Sequence, residues 1–547
     1  MDTRAHDLIQ AGDRLFAKRG SLTSLWQDIG DSFYPERADF TASRSLGDDF
    51  AGHLMTSYPI LARRDLGNSF SAMLRPRGQQ WFHIRAAREE REDTAARQWL
   101  ESRSAVMRRA MYDRSSNFVR ATKEGDHDFA AFGQAALSVE TNRAGDALLY
   151  RCWHLRDVAW CENAEGKIDT VHRRWTPTAR DLHRLFRDKA AAQIKETVEQ
   201  NPYREVNCRH IVVPSDEYEP PAGGRKWKTP FVSVYLDVDN EHVMEEVGVY
   251  TPVYVIPRWQ TVSGSQYAYS PATVAALPDA RLIQAMTRVL LEAGEKATNP
   301  PMLAVQEAIR SDVQIFAGGI TWVDAEYDER LGEVLRPLTQ DKSGIPVGLE
   351  MQQDVREMIA AAFYLNKLGL PPPDREMTAY EVGQRMSEWI REAVPLFEPL
   401  ESDYNGALCE ATFDLLLRHG AFGPPDDMPE SLSGANVEFR FESPLQAAEG
   451  RQKGQRFLEV RDMLLAASEV DPGTAAHLDI QAAFRDAVQG IGAPAEWMRD
   501  EKAAAETLAA RQKAAQAQEA LAAAGQGAAV AEQAGKAGQA LQAAGAI

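Results

Sequence analysis

Apolar side chains keep to helical spacing along most of this chain and switch to strict alternation in its middle. Up to Pro35, residues Leu8, Ile9, Leu15, Phe16, Leu25, Trp26, Ile29 and Phe33 hold largely to one face, which predicts one helix ended by the proline. Helical spacing returns at 53–73, at 93–113 with Trp99, Leu100, Val106 and Met107 inward, and at 117–132. Between 135 and 175 the period falls to two around glycine-containing turns, so antiparallel strands are expected, with residues 163–166 closing a hairpin. Thr176 or Thr178 is placed to cap a helix over TARDLHRLF, and further strands are expected at 207–213 and 231–255.

A helix is predicted at about 279–296, apolar at Leu282, Ile283, Met286, Val289, Leu290 and Ala293 and stopped by Asn299-Pro300-Pro301. Short strands and turns are expected over 302–345. The next helix starts at Gly348, carries Met351, Val355, Met358, Ile359, Ala362, Phe363 and Leu365, and has Gly369 as its C-terminal cap with Pro371 beyond. LPPPDREM follows, too stiff and too polar for a core. A capping box at Thr378 and Glu381 opens a second helix, apolar at Val382, Met386, Trp389, Ile390, Ala393, Phe397, Leu400, Tyr404, Leu408, Ala411 and Leu415. Its roughly forty residues would span about 60 Å, kinked at Pro395 and Pro399, which remove backbone donors. A strand at 437–444, helices at 445–467 and 477–488 and an Ala-rich tail complete the chain. The tail's glycines each weaken helix by roughly 1 kcal/mol relative to Ala, so order there is expected only in an assembly.

The class implied is α+β, mainly helical. A net charge of −19 argues against a general nucleic-acid clamp, although a surface past which DNA slides without sticking is also expected to repel phosphate. No apolar run reaches membrane length, and the charged N-terminus lacks a signal-peptide core, so a cytosolic protein is expected. Cys152, Cys161, Cys208 and Cys409 show no Cys-x-x-Cys spacing and read as free buried thiols; the alternative is zinc held by Cys152, Cys161, His154 and His172. The sequence has no phosphate-binding Gly-x-x-x-x-Gly-Lys-Ser/Thr, no His-Glu-x-x-His and no Gly-x-Ser-x-Gly. The acidic run Asp324, Glu326, Asp328 and Glu329 reads as a solvated rim; a Mg²⁺-dependent nucleic-acid-processing enzyme is the competing reading. Neither an enzyme nor a cofactor is the expectation.

The run REMTAYEVGQRMSEW, with a long helix and GAFGPPDDMP after it, resembles the portal (head-to-tail connector) proteins of short-tailed bacteriophages, at Thr378, Ala379, Glu381, Val382, Arg385 and Glu388. SLWQDIGDSFYPERADF, RPRGQQWFHI and the Tyr269-Ser270-Pro271 turn before a helix with a Pro-Pro exit are similar to further segments of that family, in the same order. The family's Tyr-Gly-x-Ser-Pro-like turn is altered here: its glycine is either replaced by Ala268 or absent. The resemblance covers most of 20–450; the last hundred residues rest on composition. It implies a wing (1–276), a stem helix (277–299), a clip (300–346), a second stem helix (347–369), a tunnel loop (370–377), a long kinked wing helix with a return strand (378–444) and crown or barrel helices (445–547). It also implies a ring of twelve copies around a DNA channel at one vertex of a virion, assembled in the host bacterial cytoplasm. Leu370, Pro371, Pro372, Pro373, Asp374, Arg375 and Glu376 would touch passing double-stranded DNA. The clip would meet a terminase motor and then tail adaptors, with capsid and scaffolding proteins around the ring. A scaffolding or tail protein without a channel is a further alternative.

Overall fold

The computed structural model describes residues 3–45, 47–76, 78–88, 93–220, 226–304, 344–368, 400–434, 436–441, 444–470 and 478–491, with isolated positions elsewhere. It divides into two compact units, one of residues 1–81 and 107–419, the other of residues 82–106 and 420–547. In chain order, α1 (Thr3–Lys18) and α2 (Gly20–Phe33) precede α3 (Tyr58–Leu74), β1 (Phe82–Ala86), α4 (Thr94–Met111) and α5 (Phe118–Phe132). The strand-rich middle runs β2 (Ala136–Thr141), β3 (Leu148–Trp153), β4 (Val158–Glu162), β5 (Ile168–Trp175), α6 (Ala179–Phe186), α7 (Ala192–Gln200), β6 (Cys208–Pro214), β7 (Phe231–Asp237), β8 (His242–Val249) and β9 (Tyr254–Val255). Short strands β10 (Gln260–Thr261) and β11 (Ala268–Tyr269) lead into α8 (Pro271–Thr298). Then come β12 (Met302–Ala304), β13 (Leu335–Pro337), α9 (Gly344–Ala362) and α10 (Leu365–Leu368). A π-helical turn Glu401–Gly406, a helix Ala407–Arg418, β14 (Val437–Phe441) and helices Pro444–Val470 and Ile480–Gly490 follow. The α+β class is as expected.

The first unit holds an antiparallel sheet in the order β4-β5-β6-β7-β8 and a second in the order β3-β2-β9. Strand β6 is buried along nearly all of its length because helices cover both faces. Cys208 packs with Leu182, Phe186 and Ile194 of α6 and α7, while Ile211 and Val213 pack on the other side near Leu8 and Ile9 of α1. With both faces covered, even the polar Arg209 and His210 within the strand are buried. In the second unit β1 pairs with β14, Phe82 opposite Phe441, and buried Ser104 of α4 accepts the Ile84 amide at 2.9 Å. Phe457 and Phe484 join the two C-terminal helices, with ring centroids 5.8 Å apart. Among the described residues, no helix is long and apolar enough to cross a membrane.

Several boundaries differ from expectation. The N-terminal stretch is two helices, broken at Arg19, whose buried guanidinium donates to the carbonyls of Leu155 (2.6 Å), Val158 (2.7 Å) and Arg156. Burial lowers this guanidinium only to about 10, so it stays charged. An apolar stripe that continues across the break hides it from periodicity. Thr178, not Thr176, caps α6 and accepts the Asp181 amide, with Pro177 before the cap. Helix α8 begins at Pro271, eight residues early; Pro278 is tolerated because it sits on the exposed face, where water can satisfy the carbonyl it leaves without a donor. Helix α9 starts at Gly344 and ends at Ala362. There Tyr364 turns to φ +57 and Phe363 packs on Phe33 at 5.3 Å, so aromatic packing overrides helix continuation. Met351 and Met358, expected on the buried stripe, are exposed. Tyr404, Leu408 and Ala411 are buried as the spacing implies, but Leu416 replaces Leu415, since the helix meets β3 through Thr412 and Tyr150 (2.6 Å). Gly369, the proline-rich loop, Pro395 and Pro399 lie outside the described residues, as do Glu326, Asp328 and Glu329.

The side chains suggested for zinc are engaged separately. Cys152 lies near Asp128 (3.7 Å) and Arg37 (3.9 Å), His154 pairs with Asp39 (2.6 Å), and Cys161 points to the Glu162 carbonyl (3.5 Å). All four cysteines are free, but only Cys208 and Cys409 are fully buried. His172 is buried, and that burial together with Arg209 lowers its pKa to about 3; burial and Arg63 lower His127 to about 4. Below about pH 6.5 the unfolded chain binds protons that these native imidazoles refuse, so stability is full above that pH and falls toward pH 4. Each histidine is expected to cost on the order of 2–3 kcal/mol by pH 4. Urea unfolding at pH 7 and 4.5 should show His172→Asn flattening the slope; an unchanged slope would remove this histidine from the account.

Candidate functional site: a helical hairpin and its root

Helices α8 and α9 pack against each other, and the strands β12 and β13 pair beyond them, Met302 opposite Pro337. The root of this hairpin is fastened to α5. Ser270 caps α8, accepting the Thr273 amide, and donates its hydroxyl to the Ala130 carbonyl (2.8 Å). Thr273 donates to Ala131 (2.7 Å), and the Ala268 amide donates to Gln134 (3.0 Å). Gly133, at φ +72, ends α5 so close to Tyr269 and Ser270 that a Cβ there would overlap their backbone. Higher on α8, Gln284 takes the amides of Met55 (2.7 Å) and Thr56 (3.0 Å) and returns a bond to the Thr56 carbonyl (2.8 Å).

Burial maps where the hairpin leaves the body. On α8, Ala272, Thr273, Ala276, Ala280 and Ile283 are buried and nothing beyond them is; on α9, Gln352, Val355 and Ile359 are buried and nothing before them is. The fifteen or so residues past Ile283 correspond to roughly 22 Å of helix. Along that length the seam is narrow. Gln352 donates to Thr287 at 2.7 Å, and a Cβ on Gly348 would come within 2.7 Å of Leu290, so the axes approach closely at the glycine.

The same seam defines the other faces. Successive helical residues are about 100° apart, so neighbours of a seam residue point to opposite flanks. Val289 precedes Leu290, and Val347 and Met351 precede Gly348 and Gln352; in an antiparallel pair these three share one flank. Leu291 and Leu349 follow the seam residues and share the other. All five side chains are more than half exposed, at matching heights on either side. The back of α9 carries exposed Glu350, Asp354 and Glu357, whereas the back of α8 mixes Arg281, Arg288, Glu292 and Glu295.

The chain re-enters the described body at Leu400, beside the π-helical turn. Arg75 is fully enclosed there, donating to Asn405 (2.6 Å) and to the Asp126 carboxylate, with Tyr404 4.7 Å below its plane. The Asp126 carboxylate holds this guanidinium charged. The loop residues Leu370 to Glu376 and the motif residues Thr378, Ala379, Glu381, Val382, Arg385 and Glu388 lie outside the described residues. Sequence reasoning missed Gly133, Gln284 and Gln352; Ser270-Pro271 was legible as a cap followed by a first-turn proline, but was read as a turn well ahead of the helix.

A family model described as "Bacteriophage head to tail connecting protein" matches residues 5–498. A "Probable portal protein" of Bordetella phage BPP-1 is 25% identical over 463 residues, covering 81% of this chain and 79% of that protein. The portal protein of Salmonella phage epsilon15 is 22% identical over 461 residues, covering 82% and 80%. Among solved structures, the neck of an empty gene transfer agent particle matches with TM-score 0.34 and 11% identity, over 74% of this chain and 87% of that one, a likeness too low to carry an argument.

Gly133→Ala should lower stability by roughly 3 kcal/mol or more, since both φ and space forbid the methyl group. Ser270→Ala should cost about 1–2 kcal/mol. Denaturant midpoints check both, and a neutral Gly133→Ala would mean that α5 and α8 are not joined as described.

Proposed function

The chain belongs to the bacteriophage head to tail connecting proteins, and from that membership we propose that its copies close into a ring at one capsid vertex, the portal through which genomic DNA is packed and later ejected. The observation that carries the mechanism is the two-flanked hairpin. An apolar patch on each side, at one height, suits a head-to-tail contact that repeats around an axis and closes, with Val289, Val347 and Met351 of one copy against Leu291 and Leu349 of the next. Burying such side chains is worth roughly 1.5–3 kcal/mol each. The ring has twelve copies in this reading.

The hairpin is the stem. The stem, 277–299 and 347–369, stands between the wing segments 1–276 and 378–444, and the helix that supplies its first arm starts at the Ser270 cap. Residues 300–346 form the clip that meets the terminase motor and afterwards the tail adaptors. The loop 370–377 reaches into the channel, and 445–547 make the crown. Scaffolding and capsid proteins surround the ring in the virion, which is assembled in the host cytoplasm. The protein itself performs no catalysis; the motor hydrolyses ATP. Turned to the lumen, Glu350, Asp354 and Glu357 present a carboxylate wall to passing phosphates, so DNA slides without being held.

Negative-stain images and solution mass should show rings with an open lumen. Val289→Glu with Leu349→Glu should leave folded single copies, with the thermal midpoint of the isolated protomer unchanged. Rings that persist in this variant would remove the flanks from the interface. Arg375→Ala should change DNA retention in filled particles while rings still form, and loss of rings would make that arginine structural instead.

A further inference from the structure

A basic cleft of about 560 Å³ lies away from the hairpin, lined by Arg143, Arg180, His183, Arg184, Arg187 and Val198. Arg180, His183 and Arg184 stand at i, i+3 and i+4 on α6 and so share one face of the helix. Arg143 arrives from the turn between β2 and β3 and is tied down by its bond to the Arg184 carbonyl at 2.6 Å. Arg187, just past the helix, sits at φ +48 and ψ −116, a backbone state that a residue with a Cβ adopts only under constraint. His183 Nδ1 is enclosed with no hydrogen-bond partner.

What sets the cluster apart is that four arginines line one opening. Arg37, Arg44 and Arg258 each pair with a carboxylate, whereas none of the four cleft arginines makes an ion pair among the described residues. Three carboxylates close in sequence are engaged elsewhere: Asp146 with Asn142 (2.6 Å), Asp181 with the Thr178 hydroxyl (2.8 Å) and Asp188 with Lys195 (3.1 Å). The C-terminal end of α6 favours a cation in its last turn, which accounts for Arg184 but not for Arg180 in the first turn or for Arg143 from another element. In a chain of net charge −19, four guanidinium groups around one opening repel one another until an anion separates them.

We propose that this cleft is a binding site for phosphate groups, gripped by the arginine forks and by His183. Guanidinium matches phosphate through paired N–H donors, and an opening of this volume accommodates consecutive phosphates rather than a single small anion. The source is the backbone of double-stranded DNA or a free polyphosphate. The site rests on α6, α7 and the β2–β3 turn and is independent of ring closure.

The test uses the full chain at low salt, with a labelled 20-base-pair duplex followed by anisotropy and inorganic triphosphate followed by calorimetry. Arg180→Ala with Arg184→Ala should weaken phosphate binding at least tenfold without moving the melting temperature, because both side chains are exposed. If the duplex is the ligand, its log–log salt slope should fall by about 2, near 0.9 per lost contact. If only triphosphate binding is lost, the source is free polyphosphate. Arg184→Lys should give an intermediate loss, since charge remains but the fork does not, and Arg120→Ala, on α5, should change nothing. Unchanged affinity for both probes would overturn the proposal.

Discussion

The backbone of α5 and the start of α8 meet at Gly133, closer than any side chain would permit. A left-handed glycine ends one helix, and Ser270 and Thr273 bond its last carbonyls while starting the next. Three local preferences (a glycine C-cap, a serine N-cap and a first-turn proline) are satisfied at one point. The direction in which the hairpin leaves the body is set there. A change of a few degrees at the root would move its far end by several ångströms, so a rigid joint is what a repeating assembly requires.

Beyond that joint the hairpin has little to hold it as a single copy. Beyond Ile283 its seam depends on Gly348 against Leu290 and a hydrogen bond between Gln352 and Thr287, while Val289, Val347, Met351, Leu291 and Leu349 face water on the two flanks. An ordinary surface helix keeps one side apolar and the other polar. Two apolar flanks leave burial incomplete in the protomer, which neighbouring copies in the proposed ring would complete. The acidic back of α9 is compatible with this, because carboxylates would be costly to bury in the contact yet are stable facing solvent.

Inside the body, charge does a different task. Arg19 on the carbonyls of Leu155 and Val158 and Arg75 between Asp126 and Asn405 are buried cations with several acceptors each. Buried cations of this kind contribute modestly to net stability, but each would be expensive to misplace, since an unmatched buried charge costs several kcal/mol. They therefore hold α1 against the body at one end and the π-helical turn at the other. The cleft on α6 shows the opposite arrangement, cations gathered with no carboxylate supplied.

Local spacing determined the strands from 136 to 255, the helices at 58–74, 94–111 and 118–132, and the order of segments that carries the family resemblance, because period and capping are properties of neighbouring residues. The break at Arg19, the early start of α8 and the stop at Tyr364 were decided by groups more than a hundred residues away: the carbonyls of 155–158, the end of α5, and Phe33 with Trp259. Cys208 and Ile211 lie in one predicted strand, and only the tertiary structure shows that helices cover both of its faces. Likewise Leu290 and Val289 are equally apolar in sequence, and only the position of α9 makes one a seam residue and the other a flank. Composition and period state how much apolar surface a helix has; which part of it remains for a neighbour depends on what the rest of the fold has already covered.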